Sequence, residues 1–217
     1  MIPSPTPRRS RRSPDRLRER IDDRFGGRAF AAPLFDAFAF AVRLELAEGG
    51  HPIDRFLGAH RRATEVCEEA FGASGSFVLC LTAHGERPLA SCLPTLRRAR
   101  VAGVLPNGPK AHWAEEVSPA RGELPGTFAH RVAFEAPTAL LGRALWCALA
   151  GDLGIVRPRP FVTVHLFDLE AGLLAFPYDD RGMDVVSVER APAERVYRRF
   201  APYRLAWNEA AMAAAFL

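Results

Sequence analysis

Residues 161–189, FVTVHLFDLEAGLLAFPYDDRGMDVVSVE, decide the fold. Three apolar segments, at 161–168, 173–178 and 184–189, are separated by connections of only a few residues. Connections this short join only antiparallel neighbours, because parallel strands need a crossover of about a dozen residues or more. The stretch therefore predicts a three-stranded antiparallel meander late in the sequence.

The flanking sequence predicts further strands and helices around this meander. Apolar segments with strand-like patterning lie at 40–46, 77–84 and 128–135. Apolar residues at helical spacing lie at 53–71, 89–100, 137–148, 192–200 and 208–216. Residues 101–126, rich in proline and glycine, are expected to form a long irregular connection. The expected fold class is α+β with two layers, in which a mixed or largely antiparallel sheet of about six strands carries helices packed on one face.

The basic charge of the chain is concentrated in its first 28 residues. They hold nine arginines and four acidic residues, whereas residues 29–217 hold 20 basic and 21 acidic side chains. Residues 1–13 lack apolar periodicity and are expected to be disordered, and a short helix is expected to follow from Ser13 as its N-cap. We therefore expect a basic tail at 1–28 and a single globular domain at 29–217. The acids interleaved in the tail argue against a nucleic-acid-binding arm.

The composition of the chain is that of a globular protein and not of a membrane-spanning one. With 217 residues, 48% hydrophobic and 25% charged, the chain suits a globular domain with one core. No apolar run reaches the roughly 20 residues of a membrane helix, and no secretory signal is visible, so we expect a cytoplasmic protein without a membrane partner. The four cysteines form no CxxC pair and are expected to be reduced core thiols.

Motifs for metal, nucleotide or nucleophilic chemistry are missing from the sequence. The six histidines form no HxxxH or HxH pair, and neither a phosphate-binding glycine loop nor GxSxG occurs. We therefore expect no cofactor and no metal site. His60, on the apolar face of its helix, is expected to be a hydrogen-bonded core histidine. His165 and Asp168, three apart on one strand, should point to opposite faces.

The densest polar cluster, YDDRGMD at residues 178–184, joins two apolar strands. A plain turn explains one acid that accepts backbone N–H bonds, and it explains Gly182, which can adopt the left-handed conformation. It does not explain three aspartates and an arginine. Crowded carboxylates require compensation by Arg181, by another basic group such as Arg43, or by a bound cation. Arg43 and Glu45 are two apart on the first strand and so share a face.

The candidate polar centre has seven residues: Arg43, Glu45, Tyr178, Asp179, Asp180, Arg181 and Asp184. A structural ion-pair network is the favoured interpretation. A buried or half-buried network of this kind gives fold specificity more reliably than stability. A binding surface for a partner comes second and a catalytic site third. A carboxylate pair could act as general acid and base or hold Mg²⁺, although one turn supplies few fixed ligands.

The YDDRGMDV segment at 178–185 resembles the signature of a bacterial family of uncharacterised domains. Residues 42–46, VRLEL, resemble that family's "LRFELG" strand, and residues 33–35 resemble its "PLFY" lead-in. The resemblance runs from about residue 30 to the C-terminus, apart from 86–126. The family often has an acidic "DYD" after its last helices, whereas this chain has Trp207-Asn208-Glu209 in that region.

The resemblance implies a small protein encoded beside bacterial toxins, with an immunity-like role against one of them. The leading hypothesis is therefore a non-enzymatic protein-binding module whose partner is another, toxin-like protein. The alternative is a metal-assisted hydrolase that uses Asp179, Asp180 and Asp184. Nucleic-acid binding through residues 8–28 ranks last, and the sequence leaves the oligomeric state open.

Overall fold

The computed structural model describes residues 15–118, 125–154 and 156–217. Its six helices are α1 (Asp15–Phe25), α2 (Pro52–Phe71), α3 (Leu93–Val101), α4 (Leu141–Leu149), α5 (Arg190–Arg199) and α6 (Glu209–Phe216). Its strands are β1 (Phe40–Glu45), β2 (Ser76–Gly85), β3 (Ala111–Glu116), β4 (Phe128–Pro137), β5 (Thr163–Asp168), β6 (Leu173–Pro177) and β7 (Gly182–Ser187). The fold class is α+β, as the sequence predicts.

The seven strands form one open sheet in the order β1-β7-β6-β5-β2-β4-β3, and all the pairings are antiparallel. The meander is present, since β5, β6 and β7 are consecutive neighbours in the sheet. The first strand lies beside the last one, and Arg43 of β1 pairs in register with Asp184 of β7. This pairing brings the two halves of the predicted polar centre together.

The expectation that residues 101–126 form only an irregular connection is wrong. Strand β3 lies within this segment and pairs with β4, with Trp113 opposite Arg131. It is short and lies at the edge of the sheet, so only alternate residues are buried. With Ala111 and Trp113 as its buried residues, its apolar pattern is too brief to stand out among the surrounding prolines and glycines.

Helices cover both faces of the sheet, so the expected packing on one face is also wrong. Phe25 of α1 contacts Phe167, with ring centroids 5.4 Å apart, whereas Phe71 of α2 contacts Phe77 at 5.9 Å. Phe167 pairs in register with Val78, so Phe77, the neighbour of Val78, points to the opposite face. The helix of the basic segment therefore forms a third layer.

Helix α1 packs on the sheet through an apolar stripe. Leu17, Ile21 and Phe25 are buried in the same hydrophobic cluster as the strands. Arg18 and Arg20 on its outer side donate to Glu115 and Glu135 of the sheet. The predicted disorder of residues 1–13 and the Ser13 cap lie outside the described residues.

Two further predictions concern helix bounds and thiols. Strand β4 runs to Pro137 and helix α4 begins at Leu141, so the helix starts four residues later than the helical spacing at 137–148 indicates. The cysteines Cys67, Cys80, Cys92 and Cys147 are all free and buried, which confirms the prediction of reduced core thiols. Burial raises the pKa of the Cys80 thiol to about 12.

In the part of the chain that the structure describes, no helix is both long and apolar enough to cross a membrane.

Candidate functional site

The turn between β6 and β7 is closed by its own backbone and by Asp179. Tyr178 N donates to Gly182 O at 3.3 Å. Asp179 Oδ1 accepts from the backbone N–H groups of Arg181 at 2.8 Å and Gly182 at 3.1 Å. This is the turn role that the sequence predicts for one acid, because an early aspartate can satisfy backbone donors two and three residues on.

Gly182 is required for space and not for a left-handed conformation. It is not among the glycines with positive φ, so the expectation from the turn pattern is wrong. A Cβ built on Gly182 would lie 2.1 Å from the Tyr178 hydroxyl oxygen and 2.7 Å from its ring carbon Cζ. The ring of Tyr178 therefore lies directly against the Gly182 backbone, which fixes its position at the tip of the hairpin.

Asp184 is a strand residue whose carboxylate is almost completely buried. Arg43 donates to it twice, from Nε to Oδ1 at 2.7 Å and from Nη2 to Oδ2 at 2.9 Å. The backbone N–H of Phe35 also donates to Oδ2, at 3.2 Å. The Arg43 guanidinium lies over the Phe35 ring, 4.7 Å from its centroid. Hydrogen bonding to Asp184 raises the pKa of Arg43, so the guanidinium keeps its charge.

The other two aspartates have different arginine partners. Asp179 Oδ2 accepts from Arg181 Nε at 3.0 Å and from Nη2 at 2.5 Å. Asp180 is buried and accepts from Nε of Arg55, a residue in the first turn of α2. Each carboxylate of the hairpin is thus compensated by one guanidinium from this chain. Across residues 15–118, 125–154 and 156–217, no three His, Cys, Asp or Glu side chains are grouped to hold a metal ion.

Arg55 is the residue that sequence analysis missed. It lies outside the apolar face of α2, and 125 residues separate it from Asp180. One signal could have indicated it: the first turn of a helix favours acidic side chains, because the helix dipole is positive there. An arginine at this position therefore calls for a nearby carboxylate.

Glu45 lies on the same face as Arg43 but does not join these pairs. Strand register places Glu45 opposite Gly182. Its backbone carbonyl accepts from Arg62 at 3.3 Å, and the described residues give its carboxylate no hydrogen bond or ion pair. Glu45 therefore contributes to the edge of the polar centre and not to its ion pairs.

Tyr178 is the exposed aromatic residue of the hairpin tip. Its side chain is 39% exposed, although Phe176 packs beside it with ring centroids 6.0 Å apart. Partial burial, and next the nearby Asp184 carboxylate, raise the pKa of Tyr178 to about 12. The Tyr178 hydroxyl is therefore neutral at physiological pH and lies near the ion pairs of Asp179 and Asp184.

A second polar cluster lies on the same face of the sheet as Arg43 and Asp184. Among the described residues, four of its buried side-chain atoms have no oxygen or nitrogen partner for a hydrogen bond: Thr82 Oγ1, Trp113 Nε1, Arg131 Nε and His165 Nδ1. Thr82 does interact with the neighbouring Cys80 thiol. Phe30 contacts three of these residues, with its ring 5.0 Å from His165, 6.0 Å from Trp113 and 4.1 Å from the Arg131 guanidinium carbon. A buried polar atom that stays unpaired costs about 1–3 kcal/mol. Four in one place are therefore a marked departure from ordinary core packing.

The burial of His165 predicts a dependence of stability on pH. Burial, and next the charge of Arg131, lower its pKa from 6.5 to about 3. The unfolded state binds the proton more readily than the folded state. The contribution of neutral His165 to the free energy of unfolding is therefore complete above about pH 6.5 and is lost as the pH falls towards about 3. The free energy of unfolding, measured with urea, should fall between pH 7 and pH 4.5. This fall should be roughly 2 kcal/mol larger for the natural chain than for His165→Phe.

Phenylalanine is the matched replacement because the His165 ring stacks on Phe176, with centroids 4.5 Å apart. If the two proteins lose stability in parallel on acidification, His165 does not carry this dependence.

His60, the other histidine with a predicted role, is half-buried and bonded through Nε2 to the Gly142 carbonyl at 2.8 Å. Asp168 lies on the face opposite His165 and accepts from Glu170 N and Ala171 N.

Comparison with known proteins identifies a family. A family model described as "Domain of unknown function (DUF3885)" matches residues 17–208. Searches against curated proteins and against solved structures gave no match. Because the match covers most of the sequence, the chain belongs to the DUF3885 family, and both α1 and the β6–β7 hairpin lie inside the matched region.

Proposed function

We propose that this member of the DUF3885 family is a non-enzymatic protein-binding module that recognises its partner through the tip of the β6–β7 hairpin. One observation carries the proposal: the two aspartates of the turn, Asp179 and Asp180, and Asp184 of the adjoining strand are all paired with arginines of the same chain. The tip is therefore held in one arrangement before any partner arrives. Binding to a preorganised surface costs less conformational entropy than binding to a mobile one.

The chemistry that the tip presents is aromatic and cationic. Asp179, Asp180 and Asp184 are buried, whereas Tyr178 is 39% exposed and the Arg181 side chain is 73% exposed. Tyrosine and arginine are enriched among the residues that dominate binding energy at protein interfaces. We expect a partner with an apolar pocket for the Tyr178 ring and acceptor groups beside it for Arg181. An immunity-like role against a bacterial toxin, with the YDDRGMDV segment as the recognition element of the family, is the specific form of this proposal.

The metal-assisted hydrolase has less support from this geometry. A shared cation would need carboxylates that converge, but Asp179, Asp180 and Asp184 each face a different arginine. The two proposals differ in one measurement. A rise in melting temperature with Mg²⁺ that Asp180→Ala abolishes would support the hydrolase, and its absence agrees with the binding module.

The binding proposal is tested with Tyr178→Ala and the matched control Trp207→Ala, which removes another exposed aromatic side chain, 90% exposed. A partner captured from a lysate is purified, and the complex is rebuilt from the two pure proteins. We expect Tyr178→Ala to raise the Kd about 30-fold, as loss of a central interface residue does, whereas Trp207→Ala leaves it unchanged. Both variants should keep the melting temperature within a few degrees.

Two results would contradict the proposal. One is that no complex forms between the purified proteins. The other is that the Kd of Tyr178→Ala equals that of the natural chain while the fold is intact. In either case the hairpin would have a structural role only.

A further inference from the structure

The four unpartnered atoms lie on one face of four adjacent strands. Thr82 of β2 pairs in register with Arg131 of β4, and Arg131 pairs with Trp113 of β3. His165 of β5 pairs with Cys80, two residues before Thr82, and therefore lies diagonally beside it on the same face. Each of the four residues is more than nine-tenths buried. This set, Thr82, Trp113, Arg131 and His165, is named here the donor row.

Three of the four side chains of the donor row offer a donor, whereas the neutral His165 ring has one donor nitrogen and one acceptor nitrogen. The indole N–H of Trp113 and the Nε–H of Arg131 can only donate. The Thr82 hydroxyl can donate as well, although the neighbouring Cys80 thiol competes for it. Among the described residues, no carbonyl or carboxylate oxygen accepts from these atoms. The complementary ligand is therefore an acceptor. A planar oxyanion suits it best, because guanidinium N–H groups match carboxylate oxygens in geometry and charge.

The arrangement of Arg131 supports this inference. Nη1 donates to Glu115 Oε2, which fixes the guanidinium at one end and leaves Nε directed elsewhere. Phe30 lies over the guanidinium face and follows α1 in an irregular segment. Because Phe30 is only half-buried, it forms the outer wall of the row.

We propose that the donor row is a binding site for a small carboxylate, held by Trp113, Arg131 and Thr82 under the ring of Phe30. The site is distinct from the hairpin tip and does not depend on the proposed protein partner. A ligand can enter only if the Phe30 side chain is displaced. A ligand of one or two carbon atoms requires the smallest displacement. Formate and acetate are therefore the probes.

The indole N–H resonances of the protein report on the site directly. The chain has three tryptophans, and the other two are internal controls: Trp146 Nε1 donates to Pro158 O at 3.2 Å, and Trp207 is 90% exposed. Sodium formate is titrated into ¹⁵N-labelled full-length protein against sodium chloride at constant ionic strength. We expect the Trp113 indole resonance to shift saturably with formate, while those of Trp146 and Trp207 stay in place.

The Thr82→Val variant removes one donor and keeps the volume of the side chain. We expect it to raise the formate Kd about tenfold, as loss of a hydrogen bond to a charged group does. Thr64→Val is the matched control, since the Thr64 hydroxyl already donates to His60 O on α2. It should leave the Kd unchanged.

The proposal is overturned if formate and acetate leave the Trp113 resonance unmoved, which would mean that the row is satisfied by water alone. It is also overturned if chloride produces the same shift, because the site would then not select carboxylates. A Kd that is unchanged in Thr82→Val would remove the donor row as the binding element. None of these results bears on Tyr178, so failure here is separable from failure of the protein-binding proposal.

Discussion

Asp184→Ala should lower the free energy of unfolding by about 3–5 kcal/mol, the range seen when one partner of a buried ion pair is removed. The carboxylate of Asp184 is only 2% exposed and accepts three hydrogen bonds, two from Arg43 and one from Phe35 N. Alanine would leave a largely buried guanidinium without its counter-charge and a backbone N–H without an acceptor. For a domain with an ordinary stability of about 5–15 kcal/mol, this is a large fraction of the total.

The measurement is equilibrium urea unfolding at neutral pH. Glu48→Gln is the control, because Glu48 pairs with Arg62 at the surface with 73% of its side chain exposed, and such pairs contribute about 0–1 kcal/mol. The double variant Arg43→Met, Asp184→Leu should recover part of the loss, since apolar residues can replace a buried ion pair. A change below about 1 kcal/mol in Asp184→Ala would show that the pair does not stabilise the fold.

Phe25→Ala should also cost about 3–5 kcal/mol, as truncation of a buried phenylalanine does. The side chain is fully buried and contacts two other rings, Phe38 at 6.2 Å and Phe167 at 5.4 Å. Its loss would leave a cavity between α1 and the sheet, where the surrounding aromatic residues can collapse only in part.

Urea unfolding again gives the value, with Leu57→Ala as the control. Leu57 is 54% exposed on α2, so its truncation should change stability by no more than about 0.5 kcal/mol. If Phe25→Ala is as stable as the control, then α1 is not part of the core. Such a result would support the division into a tail at 1–28 and a domain at 29–217, which stays a prediction.

Local patterns predicted most of the strands and helices, and the failures have physical causes. The strands of the meander and the buried strand β2 produce apolar segments whose pattern is typical only of strands. Strand β3 buries little and borders prolines, so its pattern resembles that of a loop. The third layer was missed because a narrow apolar stripe on α1 indicates burial but does not indicate which face of the sheet receives it.

The candidate site was predictable where its contacts are local. Asp179 and the turn amides are neighbours in sequence, and turn chemistry alone predicts their bonds. The Asp180 partner, Arg55, comes from a distant helix that no short motif connects to the hairpin. Gly182 was assigned the wrong role because glycine serves both conformation and space, and only the position of the Tyr178 ring distinguishes the two.

The pairing of β1 with β7 has a consequence for how the molecule is made. Arg43 and Asp184 are 141 residues apart in the sequence, and closing so long a loop has an entropic cost that short-range contacts do not have. During synthesis, the first strand must wait for the last one to leave the ribosome before this bond can form. Any partner that recognises the hairpin tip would therefore distinguish finished, folded molecules from nascent or truncated ones.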